Sequence, residues 1–212
     1  MVMLPGAGMC ARDYIDQGFV SSIQERGLAV DVVIVDIAAD DYLKDAFNKR
    51  LKNEVVEPLI GQGYSRIWLA GISLGAYGAI KFLREEFGEI EGVMLLSPFL
   101  STRGAVAKVL REGGLDNWSP CPSGIENDGW DNFCWLKENF VVNGSPIKIY
   151  VGWGDVDRYA DSGRLLAGRL PNENIFCIHG DHDWRTWKLL WRGMLDAVTF
   201  PLGTSRQIRI IK

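Results

Sequence analysis

Trp68-Leu-Ala-Gly-Ile-Ser-Leu-Gly-Ala-Tyr-Gly-Ala79 decides how the rest of the chain is read. Arg66 to Ala70 has the apolar run of a short strand, and Leu74 to Phe87 has the spacing of an amphipathic helix. Between them Gly71-Ile72-Ser73-Leu74-Gly75 is a G-x-S-x-G pentapeptide at a strand-to-helix turn. A serine at so sharp a turn is held in a strained backbone with its Oγ lifted clear of the sheet. Glycines flank it because a Cβ at either position would meet the neighbouring strand or helix. The helix starting there aims its free N–H groups and positive dipole end at the same spot, which favours a developing oxyanion. The plain alternative is a glycine-rich turn whose serine caps a helix. The strand before and the helix after favour a nucleophile.

Outward from this turn the pattern alternates. Strands are expected at Val2 to Leu4, Val30 to Asp36, Arg66 to Ala70, Glu91 to Leu96, Ile147 to Val151 and Asn174 to Ile178. Helices are expected at Tyr14 to Arg26, Asp40 to Ile60 with a kink at Pro58, Leu74 to Phe87, Ser162 to Leu170 and Trp184 to Val198. Thr204 to Lys212 reads as a short strand or a loose tail. Six strands alternating with helices imply an α/β fold, a mostly parallel sheet with helices on both faces, in a single domain over residues 1–212. Residues 98–140 break the alternation. Two short helices, near Ala105 to Arg111 and Trp130 to Glu138, flank a loop there, forming an insertion long enough to roof a site as a small lid.

Composition narrows the function classes. The 212 residues are 47% hydrophobic, so the chain is an ordinary globular one. No apolar run approaches the roughly 20 residues of a membrane span. Net charge is -4, and Arg206 to Lys212 holds the one basic cluster, which leaves no footprint for nucleic acid. Cys10, Cys121, Cys134 and Cys177 fall in no metal-ligand spacing. They read as reduced thiols of a cytoplasmic protein without a visible signal peptide, although Cys121 and Cys134 would pair in an oxidising compartment.

A serine hydroxyl needs a base, and the chain has two histidines, His179 and His182, both in Cys177-Ile-His-Gly-Asp-His-Asp-Trp184. His179 ends the strand; His182 lies in the loop beyond Gly180 and is the favoured base. A metal site in this cluster lacks a distant His or Cys group to complete it, so no metal is expected. The base in turn needs a carboxylate. Gly152-Trp-Gly-Asp-Val-Asp-Arg-Tyr159 follows a strand and offers Asp155 and Asp157, with spacing to the next helix favouring Asp157. Ala7, Ser73, Asp157 and His182 all follow strands, where a parallel sheet gathers its working loops.

Together, Leu4-Pro-Gly-Ala-Gly-Met9, Gly71-Ile-Ser-Leu-Gly75, Gly154-Asp-Val-Asp157 and Gly180-Asp-His-Asp-Trp184 resemble the α/β-hydrolase superfamily, in particular its small bacterial members. The resemblance implies a three-layer sandwich and a serine esterase or thioesterase acting without a cofactor. It assigns Ser73 as nucleophile, Asp157 as acid with Asp155 as the alternative, His182 as base, and the backbone amides of Ala7 and Leu74 as the oxyanion hole. The chain departs from the family in having Pro5 where a histidine is usual and in lacking the early antiparallel strands. The implied partner is a small acyl ester or thioester; nothing in the pattern fixes an oligomeric state. Two readings of the aromatic residues stand level, an apolar approach to the serine or packing of the insertion onto the body: Trp118, Trp130, Phe133 and Trp135 of the insertion, with Trp153 and Trp184. Met9, Trp135, Trp153 and Trp184 are the candidate pocket residues.

Two rival readings stand beside this one: a hydrolase-like fold that binds a ligand or partner without catalysis, and a dinucleotide-binding oxidoreductase that fits part of the chain. Gly6-Ala-Gly-Met-Cys-Ala11 matches the G-x-G-x-x-A dinucleotide fingerprint, and Asp36 ends the second strand, where a ribose-binding acid would sit. That reading leaves Ser73 and His182 without a role.

Overall fold

The apolar runs are buried on both sides, and alternation along each strand divides them between two cores. Val2, Leu4, Val33, Val35, Leu69, Val93, Leu95, Ile149 and Val151 belong to one core. Met3, Val32, Ile34, Trp68, Ala70, Met94 and Leu96 belong to the other. The sheet between the two cores is parallel throughout. The computed structural model describes residues 1–119, 130–140, 147–204 and 207–212. Its strands are β1 (Val2–Leu4), β2 (Val32–Val35), β3 (Ile67–Ile72), β4 (Ile90–Leu96), β5 (Lys148–Gly154), β6 (Ile175–Ile178) and β7 (Ile208–Ile211). They lie in the order β6-β5-β4-β3-β1-β2-β7, each pair parallel.

The sheet thus has seven strands among the described residues, one more than the six expected. The seventh falls in the stretch left open between strand and tail. Its Ile-Arg-Ile-Ile sequence is too short for a clear pattern, and Ile208 and Ile210 are exposed. β7 runs beside β2 with Val32 opposite Ile208 and Val35 opposite Ile211, so β2 is paired on both sides.

The helices in chain order are α1 (Ala11–Asp16), α2 (Phe19–Glu25), α3 (Ala46–Leu51), α4 (Glu57–Gly61), α5 (Leu74–Glu85), α6 (Arg103–Arg111), α7 (Gly114–Asn117), α8 (Trp130–Asn139), α9 (Ala160–Ala167) and α10 (Trp184–Ala197). Buried residues of α1, α2 and α10 join the second core; those of α3 to α9 join the first. The single helix expected from Tyr14 to Arg26 is two, broken at Gly18 with φ 81°. The long helix expected from Asp40 is also divided. A 3₁₀ turn at Ala39–Leu43 precedes α3, and a π turn at Lys52–Val56 joins α3 to α4 just before Pro58, which has no N–H to return to Glu54.

The described part of the 98–140 insertion packs into the first core. Trp118 stacks on Trp130 at 5.3 Å and 13°, with Phe133 edge-on to both. Arg169 binds the insertion to the body, donating to the carbonyls of Phe140 and Lys137 and pairing with Asp116. Cys10, Cys134 and Cys177 are free thiols; Cys121, considered as a partner for Cys134, lies outside the described residues, as does Arg206. Among the described residues no helix is long and apolar enough to cross a membrane.

Candidate active site

Ser73 stands between β3 and α5 with φ 54° and ψ −113°, a conformation that costs on the order of 1–3 kcal/mol and persists only where its surroundings enforce it. Those surroundings are backbone. A Cβ on Gly71 would lie 2.4 Å from the Gly75 carbonyl oxygen, and one on Gly75 would lie 2.0 Å from that of Leu4. The turn is further held by the Ser73 amide donating to the Leu96 carbonyl at 2.9 Å and the Phe99 amide donating to the Ser73 carbonyl at 3.1 Å.

The loops after β5 and β6 meet through another close backbone approach. A Cβ on Gly154 would sit 2.0 Å from the Gly180 carbonyl oxygen. The Val156 amide donates to that same oxygen at 3.2 Å, and the Asp155 amide to the Ile178 carbonyl at 2.9 Å. This junction sets Asp157 beside His182. His182 Nδ1 lies 2.8 and 3.0 Å from the two Asp157 carboxylate oxygens, and its Nε2 lies 3.0 Å from Ser73 Oγ. In the tautomer that satisfies both contacts, Nδ1–H donates to Asp157 and the Ser73 hydroxyl donates to Nε2. The Asp157 side chain is fully buried and that of His182 nearly so. Tyr159 and Trp187 meet the imidazole edge-on at 5.1 and 5.0 Å, fixing its plane.

Burial alone would raise the Asp157 carboxyl. Hydrogen bonds from His182 and from the Tyr159 amide, 2.7 Å away, more than offset this and hold it below the ordinary carboxylate value. The buried Ser97 hydroxyl, which makes no hydrogen bond of normal geometry, is still near enough to Asp157 to add to the lowering. Asp155 has a different partner. Its exposed carboxylate contacts His179 Nδ1 at 3.1 Å and accepts from the Gly180 amide at 3.2 Å. The two carboxylates therefore serve the two histidines separately. Asp183 caps α10 by accepting from the Thr186 amide at 2.8 Å.

Across the cavity, the loop carrying Ala7 is tied down by two buried phenols. Tyr14 donates to the Leu4 carbonyl and Tyr42 to the Pro5 carbonyl, each at 2.8 Å. Burial pushes both hydroxyls well above their usual range, so they remain donors. Ala7 and Leu74 line one cavity of about 280 Å³ with Ser73, His182, Met9, Phe99, Arg158, Tyr159 and Trp187.

Comparison with known proteins supports the architecture. No family model and no curated protein matches the chain. Solved structures do. A fluorophosphonate-binding serine hydrolase, FphF of Staphylococcus aureus, aligns over 93% of this chain and 82% of its own at TM-score 0.60 and 17% identity. The S-formylglutathione hydrolase FrmB of the same organism aligns over 93% and 80% at TM-score 0.59 and 16% identity. MPT51 of Mycobacterium tuberculosis aligns over 93% and 89% at TM-score 0.58 and 18% identity. The chain has the α/β-hydrolase fold.

In this α/β-hydrolase fold the aromatic residues fall differently from expectation. Of the four candidate pocket residues, Met9 lines the cavity, and Trp135, Trp153 and Trp184 do not. Trp153 points from β5 into the first core against Gly163. Trp135 packs on Phe140, and Trp184 lies one helical turn behind Trp187, against Tyr14 and Phe19. Trp118 and Phe133 are fully buried in the insertion. Phe99, Tyr159 and Trp187, which sequence reasoning passed over, form the wall instead. Phe99 and Tyr159 follow the ends of β4 and β5, so the strand-end rule that selects Ser73 and Asp157 also selects them.

The dinucleotide elements are engaged otherwise. The Asp36 carboxylate accepts from the Ala11 amide at 3.1 Å at the start of α1, and the Gly6–Met9 turn borders the Ser73 cavity.

Proposed function

We propose that the chain is a serine hydrolase that cleaves a small carboxylic ester or thioester through an acyl-enzyme. The observation that carries this reading is the unbroken hydrogen-bonded line from Asp157 through His182 to Ser73 Oγ. As Ser73 Oγ bonds to the acyl carbon, His182 Nε2 takes the hydroxyl proton and the carbonyl electron pair moves onto oxygen. Asp157 holds the ring in the reactive tautomer and steadies the imidazolium. The Ala7 and Leu74 amides are assigned to the oxyanion; loss of one such donor typically costs about 10²–10³ in rate. His182 then gives its proton to the departing alkoxide or thiolate, and water repeats the attack to free the acid and restore Ser73. Asp155, occupied by His179 at the surface, is not the acid in this scheme. A cavity of about 280 Å³ with an apolar wall suits a short acyl group.

The test is labelling by a fluorophosphonate together with hydrolysis of p-nitrophenyl esters of graded chain length, on wild type and Ser73→Ala. Wild type should label and turn over, favouring short chains, and the variant should do neither. Equal labelling of both proteins, or none of either, would refute the proposal.

A further inference from the structure

Among the described residues, one charged side chain lines the Ser73 cavity besides the site histidine: Arg158, an exposed residue next to Asp157. Most exposed arginines are solvated or paired with a neighbouring acid. Among the described residues Arg158 pairs with no carboxylate, and no acidic side chain lines the cavity. Asp155 and Asp157, its nearest acids in sequence, are taken by His179 and His182.

Its guanidinium lies over an aromatic face. The guanidinium carbon sits 5.2 Å from the centre of the Tyr159 ring. That ring is packed edge-on between Phe99, at 5.5 Å, and His182, at 5.1 Å. The Tyr159 amide is bound to the Asp157 carboxylate, so the platform under the cation is part of the same loop that orients the imidazole. A planar guanidinium over a ring face keeps its N–H fork for a ligand. The remaining side chains of the wall, Met9, Leu74, Phe99 and Trp187, are apolar. Among the described residues the cavity therefore offers an apolar wall around the reacting acyl group and one cation at its side.

We infer that Arg158 is a specificity-determining residue and that the substrate is an ester or thioester bearing a carboxylate, which the Arg158 guanidinium receives while Ser73 attacks the acyl carbon. This rests on the serine hydrolase reading. The carboxylate lies either on the acyl half or on the alcohol half, and two matched pairs of chromogenic esters separate these. The first compares mono-p-nitrophenyl adipate with p-nitrophenyl hexanoate; the second compares the acetyl ester of a carboxylated nitrophenol with p-nitrophenyl acetate.

For each pair the readout is the ratio of kcat/KM, anionic over neutral, in wild type, Arg158→Gln and Arg158→Lys. In one pair the ratio should fall about tenfold in Arg158→Gln, the scale of a charge-assisted hydrogen bond, and recover in part in Arg158→Lys. The wild-type ratio in that pair should also shrink between about 0.05 M and about 0.5 M NaCl, as screening reaches an exposed cation. A merely structural arginine would lower both esters of a pair together and leave the ratio and its salt dependence alone. Ratios unchanged within about twofold in both pairs, with turnover intact, would overturn the inference and leave the hydrolase reading standing. A wild type that turns over none of the four esters would overturn both.

Discussion

Gly75 is where a single methyl group should separate the two halves of the site. A Cβ there would lie 2.0 Å from the Leu4 carbonyl oxygen, 2.6 Å from its carbon and 2.8 Å from the Pro5 oxygen. Ordinary contact begins near 3.4 Å, so α5 and the end of β1 must part by about 1.4 Å. Backbone stands on both sides of the clash, and no flexible side chain can absorb it. Nor can the Leu4–Pro5 segment retreat freely, because the Tyr14 and Tyr42 hydroxyls hold its carbonyls from behind. The movement falls between Ser73 and the loop bearing Ala7. A displacement of about 1 Å between reacting groups costs on the order of 10² in rate, and overpacking costs about 1–3 kcal/mol in stability. Gly75→Ala should therefore lower kcat/KM on a p-nitrophenyl ester by roughly two orders of magnitude, with a lower urea midpoint. Gly104→Ala is the control: a Cβ there meets nothing within 4 Å, so stability should hold or rise by up to about 1 kcal/mol with activity unchanged. Gly75→Ala with near wild-type kinetics and an unchanged midpoint would refute the reasoning.

Other substitutions test neighbouring claims. Asp157→Asn should cost several orders of magnitude in kcat because the imidazole loses its tautomer, on the order of 10⁴, whereas Asp155→Asn should stay within a few-fold; steady-state kinetics decides, and the reverse order would transfer the acid role to Asp155. Glu91 joins three strands, receiving a bidentate pair from Arg66 ahead of β3 and a bond from Lys148 at the start of β5. The Arg66 hydrogen bonds first, then those of Lys148, bring its carboxyl down from 4.5 to about 2 despite partial burial. Because the folded value is the lower one, its stabilisation is fully present above pH 4.5 and is lost as pH falls toward 2. After discounting for solvent screening, Glu91→Gln should cost about 1 kcal/mol at neutral pH. In urea titrations the gap to wild type should close as pH falls below 4.5, and a gap independent of pH would exclude the linkage.

What the sequence made legible follows from how local each signal is. Strands β1 to β5 are short and almost continuously apolar, so burial on both faces announces them, and the half-buried β6 is marked by its own apolar run Ile-Phe-Cys-Ile. Ser73, Asp157 and His182 were readable because each follows such a strand in a parallel sheet, and the structure brings them into contact. β7 was not, since its two exposed isoleucines carry no burial pattern and its pairing with β2 is a tertiary event. The tryptophans misled for a related reason. Composition shows that a ring is apolar but not which way it faces, and on β5 one position of alternation turns Trp153 into the core. On α10 a single turn decides that Trp187, not Trp184, meets the cavity. The helix expected from Tyr14 fails at Gly18, whose left-handed φ no periodicity reports.

The pairing of β2 with β7 also sets an order of events during synthesis. The bond from the Gln207 amide to Asp31 beside these strands spans 176 positions. Until the ribosome has delivered that late segment, Val32 to Val35 present an unpaired row of amides and carbonyls to whatever is near. Nascent chains crowded on one message would therefore be most prone to cross-pair in that interval, which closes once residues 208–211 arrive.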